Sequence, residues 1–192
     1  RRGAETPSGL IKRRHVVVGL VVASLTVLIA GVTLGPSIAA GAMLHPARSN
    51  RKVATPNGCI EQTFRAADID LDGWFCEARA ARRGSIVVLH GVADTRAGSA
   101  GLVERFTSRG LDLVAYDSRA HGESGGDSCT YGFWEKQDLP RVIDTLRPGP
   151  VLLLGTSLGA AVALQAAAGD RRVAGVVAAE VFSDLEAVVR HR

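Results

Sequence analysis

The sequence predicts an α/β protein with a mostly parallel sheet, preceded by one transmembrane helix. An uncharged apolar segment of membrane-spanning length lies near the N-terminus, and after residue 58 short apolar runs alternate with segments of helical periodicity. Strand, helix and strand repeated in this way produce a parallel sheet with right-handed crossovers. The 192 residues suffice for one domain and an appendage, and 46% hydrophobic and 22% charged content is typical of a globular chain.

Residues 16–35 form an apolar stretch without a charge, and the chain stays uncharged as far as Leu44. Twenty helical residues rise about 30 Å, which matches the hydrocarbon core of a bilayer. A cleaved signal peptide is an alternative, because residues 40–42 (Ala-Gly-Ala) resemble a cleavage site, but its apolar core is typically about 7–15 residues long. A buried core helix is a third interpretation, although the segment has no polar face. We predict a basic tail over residues 1–15 and a transmembrane anchor over residues 16–36.

Basic residues are unevenly distributed around this anchor. Three adjoin its N-terminal side and three lie further off on the other: Lys12, Arg13 and Arg14, against Arg48, Arg51 and Lys52. The positive-inside rule then places the short N-terminus in the cytoplasm and the main domain outside it. The sequence therefore predicts a single-pass membrane protein with an extracytoplasmic domain.

The charge of the chain does not indicate a nucleic-acid partner. The formal net charge is +4, much of it from the basic N-terminal cluster, and only 5% of the residues are aromatic. A nucleic-acid-binding surface would need a basic face with interleaved aromatic side chains. We predict no binding to nucleic acid.

Residues 45–57 are polar with two prolines and are predicted to form a linker, so the globular domain covers residues 58–192. The domain should begin with a hairpin of two strands, over residues 60–65 and 73–79, joined by a turn at residues 68–73. Four continuous apolar runs are typical of parallel strands covered on both faces. These runs are residues 85–89, 111–116, 151–154 and 173–179.

Helices are predicted between the parallel strands. The first is capped by Asp94 or Thr95 and stopped by Gly110. The second has Pro140 in its first turn and apolar residues at helical spacing, namely Leu139, Val142, Ile143 and Leu146. The third covers residues 158–168.

The three cysteines, Cys59, Cys76 and Cys129, fit no zinc-binding spacing. Outside the cytoplasm a bridge between Cys59 and Cys76 is one option. Free or buried thiols are the other, because the odd count leaves one cysteine over.

Residues 155–159 (GTSLG) have the pattern G-x-S-x-G between a buried strand and an Ala-rich helix. A serine on a sharp turn after a strand exposes its hydroxyl, and the flanking Gly155 and Gly159 remove Cβ atoms that would clash. The N–H groups at the start of the following helix favour developing negative charge. A strand–helix turn with an incidental serine is the alternative. The context favours Ser157 as a catalytic nucleophile.

Residues 89–92 (LHGV) end the first parallel strand. A backbone N–H from this loop, with Val92 the favoured donor, could join that of Leu158 in binding a carbonyl oxygen as it becomes an oxyanion. His90 precedes the serine at a strand end, and we interpret it as a packing or loop-shaping residue.

Residues 116–126 (YDSRAHGESGG) follow the second parallel strand and therefore lie at the same edge of the sheet. Asp117, Arg119 and His121 look like a catalytic cluster. We predict instead that they fix a loop through hydrogen bonds and an Asp–Arg pairing, and that His121 is not the base.

Together these motifs resemble the α/β-hydrolase superfamily, particularly its serine-aminopeptidase-like and monoacylglycerol-lipase-like branch. The segments HGVADTRAG, YDSRAHGESGG, TYGFWEKQDLPRVIDTL, GTSLGAAVALQ and VVAAEVFSDLEAVV occur in the order and spacing of that superfamily, from about Cys59 onwards. The resemblance implies an α/β-hydrolase fold, with Ser157 as nucleophile and the backbone of Val92 and Leu158 as oxyanion hole. It also implies a structural role for the His121 segment.

The catalytic acid and base of the superfamily follow the nucleophile, in the order Ser, Asp or Glu, His. They lie on loops after two further strands, which this sequence does not contain. Asp184 is a candidate acid, although the usual place for it lies later, and His191 is the only later histidine. We expect the chain to be a fragment that lacks its acid and base, nearly inactive by itself, with residues 173–179 as an apolar edge strand.

Residues 68–73 (DIDLDG) begin like a calcium-binding loop, but Arg79 occupies the position where a bidentate Glu is needed. We predict no metal, and no motif requires a cofactor.

Two classes of function fit the sequence. The first is a membrane-anchored serine hydrolase that cleaves a small-molecule ester or a peptide amide through an acyl-enzyme. The second is a non-catalytic, membrane-tethered module that keeps the fold for binding.

Overall fold

The structure of the protein is a computed structural model that describes residues 7–49, 54–181 and 190. The chain divides into two compact units, Arg1–Met43 and Leu44–Arg192. The first contains most of one helix, and the second contains the sheet.

Helix α1 (Pro7–Leu44) is longer than the predicted anchor at both ends. Its segment Arg14–Leu44 is long and apolar enough to cross a membrane, and its most apolar window of 18 residues has a mean hydropathy of 2.5. A signal sequence near an N-terminus has the same properties. The hydroxyls of Thr26 and Thr33 donate to carbonyls one turn earlier, at 2.9 and 2.8 Å, so these polar groups are satisfied within the helix.

The second unit is built on one six-stranded sheet with the order β1-β2-β4-β3-β5-β6. The strands are β1 (Cys59–Arg65), β2 (Asp70–Cys76), β3 (Gly84–Leu89), β4 (Leu111–Tyr116), β5 (Val151–Thr156) and β6 (Val173–Ala179). β1, β2 and β4 pair antiparallel, whereas β4, β3, β5 and β6 pair parallel. The predicted α/β class and all four parallel strands are therefore confirmed.

Helices flank the sheet on both faces. They are α2 (Val103–Thr107), which continues a 3-10 helix over Arg96–Leu102, α3 (Glu135–Ile143) and α4 (Leu158–Ala167). Leu139 of α3 and Val162 of α4 belong to one buried core, which includes Leu153 of β5. Val103 of α2 packs in a second core with Trp74 and Leu113. Burial on both faces explains why the parallel strands read as continuous apolar runs.

The predicted turn at residues 68–73 is wrong, because the hairpin closes earlier in the chain. Ala66 N–H donates to the Ile69 carbonyl at 2.9 Å, and β2 already begins at Asp70. Gly73 lies within β2 opposite Tyr116, where a Cβ would be 2.6 Å from the Ala115 carbonyl oxygen. This glycine therefore permits close strand approach instead of a turn.

A disulfide joins Cys59 to Cys76, which face each other across β1 and β2. Of the two options left open by the sequence, the structure has the bridge. Cys129 is a free thiol, and its burial raises its pKa to about 11. The thiol is therefore protonated at neutral pH and is a poor nucleophile.

We expect loss of the Cys59–Cys76 bridge to destabilise the domain, because the bridge restricts the unfolded chain across a separation of 17 residues. For a loop of this size the free energy of unfolding should fall by about 3 kcal/mol. Thermal melting of the protein with and without a thiol reductant measures the effect. The double variant Cys59→Ser, Cys76→Ser should melt at the lower temperature, and the reductant should not change its melting temperature. If the reductant changed the melting temperatures of both proteins equally, the disulfide would not be the source of the stability.

Candidate active site

Ser157 lies on a sharp turn between β5 and α4. Its backbone dihedrals are φ +51° and ψ −114°, a conformation that L-residues rarely adopt. The Ser157 N–H donates to the Ala179 carbonyl at 2.9 Å, and the Ser157 carbonyl accepts from Ala161 N–H at 3.1 Å. The residue is therefore held between the end of the sheet and the first turn of a helix.

The two glycines of the motif occupy positions where no side chain fits. A Cβ on Gly155 would be 2.3 Å from the Gly159 carbonyl oxygen, and a Cβ on Gly159 would be 2.3 Å from the Leu89 carbonyl oxygen. These separations are far inside van der Waals contact. Both positions must therefore be glycine for α4 to pack this closely against β3 and β5.

The loop after β3 runs beside the strand–turn–helix segment at residues 155–159, which we call the elbow. A Cβ built on Gly91 would be 3.4 Å from the Ser157 Cβ, so the two backbones are close neighbours. Val92 follows directly, and Ala93 has a positive φ of 61° that turns the chain towards the 3-10 helix. The backbone at Gly91 therefore lies next to the Ser157 side chain.

His90 uses both ring nitrogens to shape this loop. Its Nε2 accepts from the Ser118 N–H at 2.9 Å, and its Nδ1 lies 2.7 Å from the Gly91 carbonyl oxygen, to which it donates. Burial lowers the pKa of His90. The ring is therefore neutral at pH 7, and neither nitrogen is left to take a proton from a nucleophile.

The loop after β4 is built around the buried carboxylate of Asp117. One oxygen accepts from Arg96 N–H at 2.7 Å, and the other accepts from Glu123 N–H at 3.0 Å and from the Arg96 guanidinium. Gly122, with a φ of +47°, passes so close that a Cβ there would be 2.1 Å from the Asp117 Oδ2. Asp117 thus joins the loop after β4 to the 3-10 helix after β3.

Arg119 pairs with Asp138 of α3, through two bonds of 2.8 Å. Burial raises the pKa of Asp138, and the hydrogen bonds from Arg119 act in the opposite direction. His121 is 1% exposed, and its Nδ1 lies 2.9 Å from the Arg119 carbonyl oxygen. Its ring packs edge-on against that of His90, with centroids 5.1 Å apart. Arg119 and His121 thus hold the loop after β4 in place, through a pair with α3 and a bond within the loop.

Arg96 is the residue of this site that sequence reasoning missed. It is 5% exposed, pairs with Asp117 and Glu123, and lies over the Trp74 ring at 5.3 Å. The predicted Asp–Arg pairing within the loop does not form, because each partner binds a residue distant in the chain. Arg96 lies in the HGVADTRAG segment, but a single arginine among Ala and Gly residues does not indicate burial.

A cavity of about 120 Å³ lies beside the elbow. Its lining includes His90, Asp94, Arg96, Leu154 and Thr156. It is therefore enclosed by the ends of β3 and β5 and by the segment that follows β3. The candidate acid Asp184, like His191, lies outside the residues that the structure describes.

A family model described as "Serine aminopeptidase, S33" matches residues 80–183, which is more than half of the chain. The protein belongs to this family of α/β hydrolases. The match begins just before β3 and covers both loops described above, the elbow and β6. The superfamily predicted from the sequence motifs is thereby confirmed.

Curated relatives match this chain over part of their own length. The uncharacterized protein YqkD of Bacillus subtilis is 36% identical over 85 residues, which are 42% of this chain and 28% of YqkD. The uncharacterized protein YfhR of Salmonella typhimurium is 30% identical over 148 residues, which are 70% of this chain and 49% of YfhR. The chain thus spans about half or less of the curated relatives that it matches.

Solved structures share the hydrolase fold. The Pyrococcus furiosus esterase Pf2001 superposes with a TM-score of 0.65 at 25% identity, covering 72% of this chain and 57% of the esterase. The α/β serine hydrolase XC6422 of Xanthomonas campestris has a TM-score of 0.56 at 22% identity, covering 66% of this chain and 63% of that one. The second likeness shows the fold alone.

We expect Gly159→Ala to disrupt this hydrolase fold, because the new methyl group would lie 2.3 Å from the Leu89 carbonyl oxygen. Backbone cannot yield as a flexible side chain can, so the loss of unfolding free energy should reach about 3 kcal/mol or more. Gly169→Ala is the matched control, because its nearest atom would be 3.8 Å away. Thermal unfolding compares the two variants, and equal melting temperatures would contradict the steric argument.

Proposed function

We propose that this protein is a serine hydrolase in which Ser157 is the nucleophile. The observation that carries the proposal is the strained conformation of Ser157, at φ +51°, on a turn closed by two glycines that tolerate no side chain. A residue is held in such a conformation only where the surrounding structure imposes it, and such strain concentrates at functional sites. Membership of a serine hydrolase family supports the same assignment.

In the proposed reaction the Ser157 Oγ attacks the carbonyl carbon of the substrate while a general base takes the hydroxyl proton. The oxygen that becomes negatively charged is bound by the backbone N–H groups of Val92 and Leu158. Leu158 is the first residue of α4, where backbone N–H groups have no partner within the helix. The tetrahedral intermediate then expels the leaving group, which gains the proton, and water hydrolyses the acyl-enzyme.

We assign the general base to neither histidine beside the site. Both ring nitrogens of His90 are engaged, and His121 is buried, with its Nδ1 bonded to the backbone. A base must be within hydrogen-bond reach of the serine hydroxyl in a substrate-accessible site. Asp184 stays a candidate for the acid that orients the base.

We propose an ester as the substrate, ahead of a peptide amide. The similarity of the fold to the Pf2001 esterase supports an ester, whereas the family description is that of an aminopeptidase. Both reactions use the same acyl-enzyme chemistry, and they differ in the leaving group that must be protonated.

We further propose that α1 anchors the protein in a membrane, with the domain on the extracytoplasmic side. The length and composition of Arg14–Leu44 support an anchor. The Cys59–Cys76 disulfide supports an oxidising compartment for the domain, because such bridges are rare in the cytosol. The two observations are independent, since one concerns α1 and the other the β1–β2 hairpin.

The nucleophile is tested with a fluorophosphonate probe, which phosphonylates the activated serine of serine hydrolases. The probe is applied to membranes of cells that express the complete natural gene, because labelling requires the base and the acid as well as Ser157. We expect label on the peptide that contains Ser157 and a complete loss of label in Ser157→Ala. Hydrolysis of a short-chain ester by the same membranes should fall with the label, to about the uncatalysed rate.

Ser108→Ala is the control for this experiment, because Ser108 is an exposed serine at the end of α2. Its label and esterase activity should equal those of the unchanged protein. Absence of label from Ser157 in a correctly folded protein would contradict the proposal and favour the non-catalytic binding module.

The anchor is tested by washing the same membranes with alkaline carbonate and determining the N-terminal sequence of the protein. A chain held by a spanning helix stays in the pellet, because its apolar residues remain in the hydrocarbon core. Release of a chain that begins after residue 42 would contradict the anchor and identify a cleaved signal peptide.

A further inference from the structure

The segment that follows the apolar helix is bound to the globular domain. We call residues 44–48 the juxtamembrane strap; they belong to the same compact unit as the sheet. The Leu44 carbonyl accepts from Cys129 N–H at 2.7 Å, and the His45 Nδ1 lies 2.5 Å from the Asp127 carbonyl oxygen. Arg48 donates to the Ser124 carbonyl at 2.5 Å and also to the Gly126 carbonyl.

The strap therefore holds the domain surface at residues 124–129 close to Leu44, where the apolar segment ends. Leu44 is the last residue of Arg14–Leu44, whose 31 residues rise about 46 Å as a helix. If this segment spans a hydrocarbon core of about 30 Å, Leu44 lies at most about 16 Å outside that core. The Cys129 backbone is one hydrogen bond away from Leu44.

Two exposed aromatic side chains follow this point closely in the chain. Among the described residues of the domain, Phe133 and Trp134 are the only exposed aromatic side chains, at 59% and 45% exposure. Phe133 is four positions after Cys129, which limits the distance between their Cα atoms to about 14 Å. The Phe133 N–H donates to the Thr130 carbonyl at 3.2 Å, and this turn shortens the distance further.

The two rings have the chemistry of a bilayer interface. They pack edge-on with centroids 4.9 Å apart, and Trp134 has an indole N–H that can bond to water or lipid carbonyls. Lys136 lies 6.0 Å from the Phe133 ring centroid, next to the apolar surface. Aromatic rings flanked by a cation are enriched where the hydrocarbon core meets the headgroups.

We propose that Phe133 and Trp134 insert into the headgroup region of the bilayer that contains α1, and so form a second membrane contact of the domain. The inference rests on the membrane anchor proposed above, and it is independent of the role of Ser157. Insertion is favourable, because it removes from water apolar surface that is otherwise exposed.

Tryptophan fluorescence of the full chain in lipid vesicles tests the proposal. The chain has two tryptophans, of which Trp74 is completely buried, so Trp134 is the one that lipid can reach. With bromine atoms high on the acyl chains of the lipid, we expect the emission to fall by roughly half, since one of the two fluorophores is quenched. Lipid brominated near the ends of the acyl chains should quench less.

Two variants serve as controls. Trp134→Phe keeps an aromatic ring and leaves Trp74 alone, so bromine should no longer reduce the emission. Trp134→Phe combined with Arg109→Trp moves the indole to an exposed position just before β4, at the opposite end of the strand from the loop bound by the strap. The emission intensity of that protein should be the same in brominated and in ordinary lipid.

Flotation of the vesicles separates the ways in which the proposal can fail. The inference is supported if the protein floats, if bromine high on the acyl chains quenches its fluorescence, and if Trp134→Phe abolishes that quenching. Protein that floats without quenching, or whose quenching persists in Trp134→Phe, overturns the inference and leaves the anchor intact. Protein that does not float overturns the anchor, and the inference with it.

Discussion

The close approach of three backbone segments at the elbow is the constraint on which the rest of the site depends. Gly155, Gly159 and the Leu89 carbonyl meet with no space for a side chain between them. This contact packs the start of α4 directly against the ends of β3 and β5. Ser157 is forced into a positive φ as a result, at a cost of order 1–3 kcal/mol. Burial of β3, β5 and α4 in a common core offsets that strain.

Buried polar bonds fix the loops around the elbow, where apolar packing alone could not specify them. Asp117 and Arg96 are almost fully buried, and burying two charges is favourable only if their hydrogen-bonding groups are used. The Asp117 carboxylate accepts from two backbone N–H groups as well as the guanidinium. Because His90 in turn accepts from Ser118, the loops after β3 and β4 are linked at two points. The position of Gly91 beside Ser157 follows from that linkage.

The features predicted from sequence are those encoded by neighbouring residues. Buried parallel strands are continuous apolar runs, and the elbow glycines lie two residues from the serine, so both are visible in short windows. The predicted position of the hairpin turn is wrong because Asp-Gly at residues 72–73 is a strong turn signal, and close packing against Tyr116 also selects glycine there. Local sequence does not distinguish these two uses of glycine.

Contacts between residues far apart in the chain could not be predicted. Arg96 meets Asp117 across 21 positions and Arg119 meets Asp138 across 19, and no spacing rule selects these partners from the other charged residues. The predicted linker, residues 45–57, also makes contacts with residues far away in the chain. Its composition is polar, yet Arg48 donates to the carbonyls of Ser124 and Gly126, 76 and 78 positions away. Gly126 has a φ of +87°, a conformation that glycine adopts without strain. Gly122 thus allows the loop after β4 to enclose Asp117, and Gly126 allows the same loop to bind Arg48 of the strap. The loop and the strap, which are far apart in the sequence, therefore form one structural unit.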